Sequence, residues 1–102
     1  MLRITQEDGS DSGTILRLEG RIVAEGGVLL EHECHEILRV LDEVRLDLTG
    51  VSFVDRAGVE ALRRLSGVGV EIQCPSGPVM SVLEGAGIPV TLNADAVENS
   101  RM

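Results

Sequence analysis

The sequence predicts a single small α/β domain whose mixed sheet starts with an N-terminal hairpin and continues through alternating helices and parallel strands. The chain has 102 residues and 43% of them are hydrophobic, which suffices for one modest core. Two segments with strand periodicity come first, separated by a polar turn that contains glycine. Helical and strand-like segments then alternate, and this order favours parallel strands joined by crossover helices.

The first half of the chain contains the hairpin and the first helix. Residues 2–6 and 14–20 are the predicted strands of the hairpin, joined by the turn 7–13. Residues 26–42 are predicted to be helical, because apolar side chains recur there at three- and four-residue spacing. These side chains are Leu30, Cys34, Ile37, Leu38 and Leu41.

The middle of the chain reads LDLTGVSFVDRAGVEALRRL over residues 46–65. A buried strand over 44–48 leads into a loop over 49–57 and then an amphipathic helix over 57–65. Asp55 lies where an N-cap residue belongs, just before the helix. The side chains that this helix should bury are Val59, Leu62 and Leu65.

One more strand–helix–strand unit follows. Glycines at positions 67 and 69 end the preceding helix and open a strand over 69–73. Ser76 is the predicted cap of a helix over 78–85, which tolerates a proline in its first turn. A short strand over 90–92 comes last. The buried side of the last helix should consist of Val79, Val82 and Leu83.

The domain therefore covers residues 1–92, and a polar tail covers 93–102. Within the tail only residues 94–98 offer one turn of helix, so a C-terminal helix is short or absent. An apolar surface that such a helix would have covered is then left for a second copy or a partner. The sequence thus suggests weak self-association, as a homodimer, through the C-terminal region.

The charge balance excludes several function classes. The net charge is -8 and the isoelectric point about 4.6, which argues against a surface for nucleic-acid phosphates or for anionic lipid. No apolar run approaches the roughly 20 residues of a membrane span. The first eight residues turn polar at once, so they do not resemble a signal peptide. We expect a cytoplasmic protein without direct membrane insertion.

Cys34 and Cys74 lie far apart and form no CxxC motif. Two reduced cysteines fit a cytosolic protein, although the sequence leaves a disulfide open. Cys74 lies near the start of a helix, a place that lowers the pKa of a thiol and makes it reactive. No basic residue or resolving cysteine is near Cys74 in the sequence, so a structural role is the favoured interpretation.

The segment 31–36 reads Glu-His-Glu-Cys-His-Glu and resembles a metal-binding cluster. Cys34, however, falls on the buried stripe of its helix, away from His32 and His35, and no second ligand cluster exists. A solvated helix face is the favoured interpretation. There is also no glycine-rich phosphate loop, Ser-His-Asp arrangement or carboxylate pair, so the sequence predicts no enzyme activity, no metal and no cofactor.

The strand–turn–helix segment over 46–65 resembles the STAS domain of bacterial anti-sigma factor antagonists. In that family the turn reads Asp-x-Ser-Gly, and a partner kinase phosphorylates the serine. Here residues 55–58 read Asp-Arg-Ala-Gly, so Ala57 occupies the acceptor position and has no hydroxyl. The resemblance covers most of the chain, because the order of strands and helices is also that of a STAS domain.

A second position departs from the family in the same way. Family members often have Gly-x-Leu-Asp at the end of the second strand, with the aspartate beside the serine. Here residues 20–23 read Gly-Arg-Ile-Val, so Val23 occupies the acidic position. Both positions linked to phosphorylation are apolar in this chain. The resemblance therefore implies a domain that has lost the phosphorylation switch.

The predicted binding face lies at the carboxyl edge of the sheet, where the loops 49–57 and 74–77 should be neighbours. Asp55 is either a helix cap, which we favour, or a group that positions a donor of the partner. Arg56 is either a solvated charge or a partner contact. The proposed contact residues are Val23, Ala24, Glu25, Asp55, Arg56, Ala57 and Gly58, together with Glu60, Arg63 and Arg64 on the exposed side of the helix.

The resemblance implies an anti-sigma factor or a related histidine-kinase-like regulator as the partner. Two other functions stay open at this point. STAS domains also serve as regulatory subunits of membrane transporters, and the same edge of the sheet could hold a small ligand or nucleotide in a sensor domain. A regulatory protein-interaction domain is the interpretation that the sequence favours.

Overall fold

This computed structural model describes residues 2–8 and 13–92, which form five strands and three helices. The tip of the first turn and the whole tail, 93–102, with its predicted helical turn at 94–98, lie outside these ranges. The elements are β1 (Leu2–Asp8), β2 (Gly13–Ile22), α1 (Glu25–Leu38), β3 (Glu43–Val54), α2 (Arg56–Gly67), β4 (Glu71–Cys74), α3 (Pro78–Gly85) and β5 (Thr91–Leu92).

The strands form one sheet in the order β1-β2-β3-β4-β5. The hairpin strands β1 and β2 are antiparallel, and every later neighbour pair is parallel. This arrangement confirms the predicted mixed sheet with an N-terminal hairpin. No helix within the described ranges has the length and apolar character to cross a membrane.

All three helices pack on one face of the sheet. Alternate residues of β2, β4 and the first half of β3 point to that face, and these residues form a single buried cluster with the apolar stripes of the helices. The strands contribute Leu16, Leu18, Val44, Leu46, Leu48 and Ile72, and the helices contribute Leu30, Cys34, Leu62, Leu65 and Leu83. With a single aromatic residue in the chain, this core is built almost entirely from aliphatic side chains.

The opposite face of the sheet is polar and carries ion pairs between neighbouring strands. Arg17 lies 3.3 Å from Glu7 and 3.9 Å from Asp47, and Arg45 lies 3.2 Å from Glu71. Asp47 is buried, but the Arg17–Glu7 and Arg45–Glu71 pairs are half-exposed, and such pairs each add little to the free energy of folding. Their arrangement does allow this face to remain in water while the other face is buried.

The third strand differs most from the prediction, because β3 continues through Val54 instead of ending at Leu48. Residues 50–54 pair with the second half of β2, from Glu19 to Ile22. The register shifts between Arg17 and Glu19 and again between Gly20 and Arg21. These irregularities break the two-residue alternation of a strand. The predicted loop over 49–57 was therefore wrong for residues 49–54.

The helix ends show smaller differences. Helix α1 ends at Leu38 rather than at residue 42. The N-cap of α3 is Gly77, with no side-chain hydrogen bond, so the predicted Ser76 cap was wrong. Val82 is 47% exposed, whereas Leu83 is fully buried, so only part of the predicted buried side of α3 is confirmed. Gly69 has a φ of 99°, outside the range of a strand, so β4 begins at Glu71 and not at 69.

Removing core methyl groups should reduce stability strongly. Leu48 and Leu62 are at most 1% exposed and belong to the single buried cluster. We expect Leu48→Ala and Leu62→Ala each to lower the free energy of unfolding by about 2–5 kcal/mol, because each leaves a cavity. Val40→Ala is the control, since Val40 is 81% exposed and should change stability by less than about 0.5 kcal/mol. Urea titration checks this, and equal midpoints for all three variants would contradict it.

Candidate functional site

The ends of β2 and β3 lie side by side, and this brings two strand-to-helix connections together. Ile22 is the register partner of Val54, the last residue of β3. The next backbone N–H, that of Asp55, donates to the carbonyl of Ile22 over 3.1 Å. The β2–α1 connection, residues 23–24, therefore adjoins the β3–α2 connection at Asp55. We call these two connections and the first turn of α2 the rim.

The carboxylate of Asp55 joins the two connections. Its Oδ1 accepts a hydrogen bond of 2.8 Å from the backbone N–H of Gly58, which confirms the predicted N-cap of α2. Its Oδ2 accepts a hydrogen bond of 3.1 Å from the backbone N–H of Ala24. One side chain thus fixes the starts of both helices, and each of its oxygens already has a donor within the chain.

Ala24 has an unusual backbone conformation, with φ 44° and ψ -113°. A positive φ in a residue other than glycine costs free energy and persists only where its surroundings hold it. Here the N–H of Ala24 is held by Asp55, and its carbonyl accepts from Gly27 N over 3.1 Å. The carbonyl of Val23 accepts from Gly26 N over 2.8 Å. Val23 itself is half-buried, while Ala24 and Glu25 are exposed.

Gly58 lies where the first turn of α2 touches both strand ends. A Cβ atom there would collide with the carbonyl oxygen of Ile22 and lie 2.9 Å from Cγ1 of Val54. Only glycine therefore lets the helix start this close to the sheet. Helices α1 and α2 also pack closely at a glycine, because a Cβ on Gly27 of α1 would lie 3.1 Å from the Cβ of Ala61 of α2.

The first turn of α2 presents its side chains to solvent. Arg56 and Ala57 are both exposed. Within the part of the chain that the structure describes, the guanidinium of Arg56 forms no ion pair. Ala57 offers only a methyl group at the surface. Arg56 is therefore a charge at the rim that is not committed to holding the fold.

The other predicted contact residues of α2 do hold the fold together. Arg63 donates a hydrogen bond of 2.9 Å to the carbonyl of Ala86, just after α3, and lies 3.5 Å from Glu60. Arg64 reaches α1, where both oxygens of Glu31 accept from its guanidinium over 2.9 Å. Glu60 and Arg63 are three residues apart, the spacing at which helical side chains meet. The contacts to α1 and α3 were not predicted, because they depend on how the helices pack.

The pair of Arg64 and Glu31 lies across the contact between α1 and α2. Hydrogen bonding to the Arg64 guanidinium holds the pKa of Glu31 below its usual value of 4.5, and burial opposes this shift in part. Glu31 belongs to the segment that resembled a metal cluster. Within residues 2–8 and 13–92, no group of three or more His, Cys, Asp or Glu side chains could hold a metal ion.

Both cysteines are buried and neither forms a disulfide. Burial raises the pKa of the Cys34 thiol to about 12. Burial, and then the charge of Asp47, also raises the pKa of Cys74. The helix start near Cys74 therefore does not lower the pKa of its thiol. The buried, raised-pKa thiol agrees with a structural role for Cys74.

Arg21 and Phe53 lie beside the rim and are not among the predicted contact residues. They are register partners near the ends of β2 and β3, and the Arg21 guanidinium lies 5.2 Å from the ring centroid of Phe53. Phe53 is 46% exposed although it is the only aromatic residue of the chain. In the sequence, the position of the sole aromatic residue, two residues before the Asp-Arg-Ala-Gly turn, was the feature that could have identified Phe53 as a candidate contact residue. The cation–π contact itself depends on the shifted register.

The loop 74–77, predicted as a neighbour of the loop 49–57, begins beside the start of that segment and not beside its end at Asp55. The β3–β4 ladder covers only Arg45 to Asp47, which face Glu71 to Gln73. Cys74, the end of β4, therefore lies beside Leu48, and β3 continues for six residues beyond that point. The rim is built from β2, β3 and the helices that follow them, without the connection after β4.

Comparison with solved structures shows the same fold in anti-sigma factor antagonists. An anti-sigma factor antagonist from Mycobacterium paratuberculosis superposes with a TM-score of 0.78 at 15% identity, covering 98% of this chain and 93% of that one. The Bacillus cell fate determinant SpoIIAA in its phosphorylated form gives 0.63 at 16% identity, and the anti-sigma factor antagonist SpoIIAA in its unphosphorylated form gives 0.61 at 14%. Both cover 97% of this chain and 98% of theirs. By sequence, the chain matches no family model and no curated protein. The STAS fold expected from the sequence is thus confirmed.

A methyl group on Gly58 should disturb the rim, whereas one on Gly67 should not. Both glycines lie in α2, but a Cβ on Gly67 would meet no atom within 4 Å. We expect Gly58→Ala to lower the free energy of unfolding by about 1–3 kcal/mol through overpacking. Gly67→Ala should leave it unchanged or raise it by up to about 1 kcal/mol, because alanine favours helix. Thermal and urea unfolding of the two variants check this, and a neutral Gly58→Ala would show that the rim tolerates displacement.

The ion pair between Arg64 and Glu31 should make part of the stability depend on pH. The pKa of Glu31 is lower in the folded chain than its usual 4.5, so its stabilising contribution is present above that value. The contribution is lost as the pH falls through the lowered, folded-state pKa. Arg64→Gln should therefore cost more stability near neutral pH than in acid below that lowered pKa, as measured by urea unfolding at each pH. In a Glu31→Gln background this difference should disappear, and a cost that does not vary with pH would contradict the assignment.

Proposed function

We propose that this domain is a non-enzymatic regulatory module that acts as an anti-sigma factor antagonist. Its partner is an anti-sigma factor or a related histidine-kinase-like regulator, which it binds through the rim. The observation that carries the proposal is the rim itself. Asp55 and Gly58 hold the start of α2 against the ends of β2 and β3. This arrangement presents the exposed first turn of that helix on the fold that the anti-sigma factor antagonists share.

The binding does not depend on phosphorylation of the rim. One of the similar solved structures is described as phosphorylated and another as unphosphorylated, so the fold accommodates both forms. In this chain the first turn of α2 carries Arg56 and Ala57, and neither has a hydroxyl. The nearby hydroxyl of Ser52 lies within β3 and donates to the carbonyl of Gly20 over 3.3 Å. The domain therefore binds its partner constitutively, and control lies elsewhere, in abundance or in the partner.

Arg21, Phe53 and Arg56 supply the chemistry of recognition. Arginine and aromatic side chains contribute most of the binding free energy in many protein interfaces. Phe53 and Arg21 stack on one another, so binding costs them less side-chain entropy. One arginine thus contacts the exposed ring beside the rim, and a second lies in the first turn of α2, on a chain whose net charge is -8. These positive charges favour an acidic segment of the partner and orient the encounter.

Charge reversal at the rim should weaken partner binding without weakening the fold. Arg56→Glu removes an exposed charge that pairs with nothing in the described ranges, so thermal stability should change little. We expect the dissociation constant for the histidine-kinase-like anti-sigma factor of the same genome to rise by about tenfold or more. Isothermal titration calorimetry with the purified pair measures it.

Arg39→Glu is the matched control for that experiment. It makes the same change in net charge at the far end of α1, where Arg39 lies 3.4 Å from Glu36 and 74% of its side chain is exposed. Its affinity should stay within about twofold of the unmodified chain. Equal losses in the two variants would reflect net charge alone. No loss in Arg56→Glu would place the contact outside the rim. Arg63 is less suitable as a probe, because it also holds Ala86.

The domain should remain unphosphorylated when it is incubated with that partner kinase and ATP. Ala57 provides no acceptor oxygen, and phosphate transfer requires one. Intact-mass spectrometry should show the unmodified mass only. Ala57→Ser returns a hydroxyl to a helix start, where a phosphate is well tolerated, and should gain one phosphate. A phosphate on the unmodified chain would sink the proposal of constitutive binding, whatever residue carried it.

A further inference from the structure

The outer edge of β1 is an open edge of the sheet. β1 comes first in the strand order, and within the described residues no strand pairs with its outer side. The strand is seven residues long. Such an edge presents a row of unpaired backbone N–H and C=O groups, which readily hydrogen-bond to another strand. An edge of this length can therefore accept a partner strand.

The charges of β1 are complementary to a second copy of the same strand. Arg3, Thr5 and Glu7 lie on one face of β1 at two-residue spacing. In an antiparallel pair with a two-fold axis at Thr5, Arg3 of each copy lies opposite Glu7 of the other. Within one chain Arg3 already lies 3.7 Å from Glu19, and Glu7 lies 3.3 Å from Arg17. In the dimer, the row of ion pairs between neighbouring strands on this face would continue from one sheet into the other.

An apolar groove runs beside the same edge, between β1 and the first turns of α1. Its volume is about 670 Å³, and Leu2, Val28 and Leu29 line it. Val28 is 67% exposed and Leu29 is 50% exposed. These exposed apolar side chains lie together beside the open strand, where a paired second copy would cover them.

We propose that this chain forms a two-fold dimer in which β1 pairs antiparallel with β1 of a second copy. The two sheets become one continuous sheet, and the apolar groove of each copy lies beside the joint. A two-fold interface uses the same patch on both subunits. Arg3 and Glu7 lie at equal distances on either side of Thr5, so β1 is complementary in charge to a second copy of itself. An unrelated strand would pair as well only if it carried an acidic and a basic residue in the same order, so the charges favour a second copy. This edge is opposite to β5, which leads to the C-terminal region where the sequence suggested self-association.

Mixing two charge variants tests this dimer. Arg3→Glu places two acidic residues opposite each other at both ends of the joint, and Glu7→Arg does the same with two basic residues. Each variant alone should raise the dimer dissociation constant by about tenfold or more. In an equimolar mixture, Glu at position 3 meets Arg at position 7 and Arg3 meets Glu7. The mixture should therefore recover the dimer. Sedimentation velocity over a concentration series, to about 1 mM, provides the measurement.

Arg45→Glu and Glu71→Arg are the matched controls. They reverse the two charges of one ion pair on the same sheet face, but on β3 and β4, away from the joint. Their dimer dissociation constants should stay within about twofold of the unmodified chain. If the variants failed to dimerise because their folds were damaged, mixing them would not restore the dimer. Recovery in the mixture therefore shows that the single variants failed because of charge repulsion at the joint. A chain that is monomeric throughout the series would overturn the proposal. So would dimers that survive in both variants, or a mixture that stays monomeric.

Discussion

The carboxylate of Asp55 is the interaction on which the rim depends. It accepts one hydrogen bond from the first turn of α2 and another from the connection that starts α1. The second bond holds Ala24 in a conformation that alanine rarely adopts. Without this carboxylate, the backbone N–H groups of Gly58 and Ala24 would both lose their acceptor. The position of both helix starts relative to the sheet is therefore set at a single side chain.

The two faces of the sheet differ in character. One face buries aliphatic side chains against three helices, and the other carries inter-strand ion pairs in water. Beyond Asp47 the sheet narrows, since β3 pairs there with β2 alone. This narrow part carries the rim at its end. At this end only β2 and β3 remain paired, and the sole aromatic side chain lies there outside the packed core, half-exposed.

The rim geometry and the phosphate acceptor are physically separate requirements. Asp55 caps the helix and Gly58 permits close packing, so both are needed for the fold whatever the surface does. Ala57 lies between them and is exposed. A hydroxyl can therefore be lost at position 57 while the surface around it keeps its shape. The contacts that shape the rim are therefore independent of which side chain stands at position 57.

The sequence by itself determined the order of elements, the antiparallel hairpin, the parallel strands after it and the cap at Asp55. Each of these depends on local periodicity or on the chemistry of one residue and its near neighbours. Only the tertiary structure decided the length of β3, because the register shifts against β2 hide its periodicity. The same holds for the contact of Arg21 with Phe53 and for the bonds of Arg63 and Arg64 to α3 and α1. These join residues that are distant in the chain, so their existence follows from packing and not from any pattern within one segment.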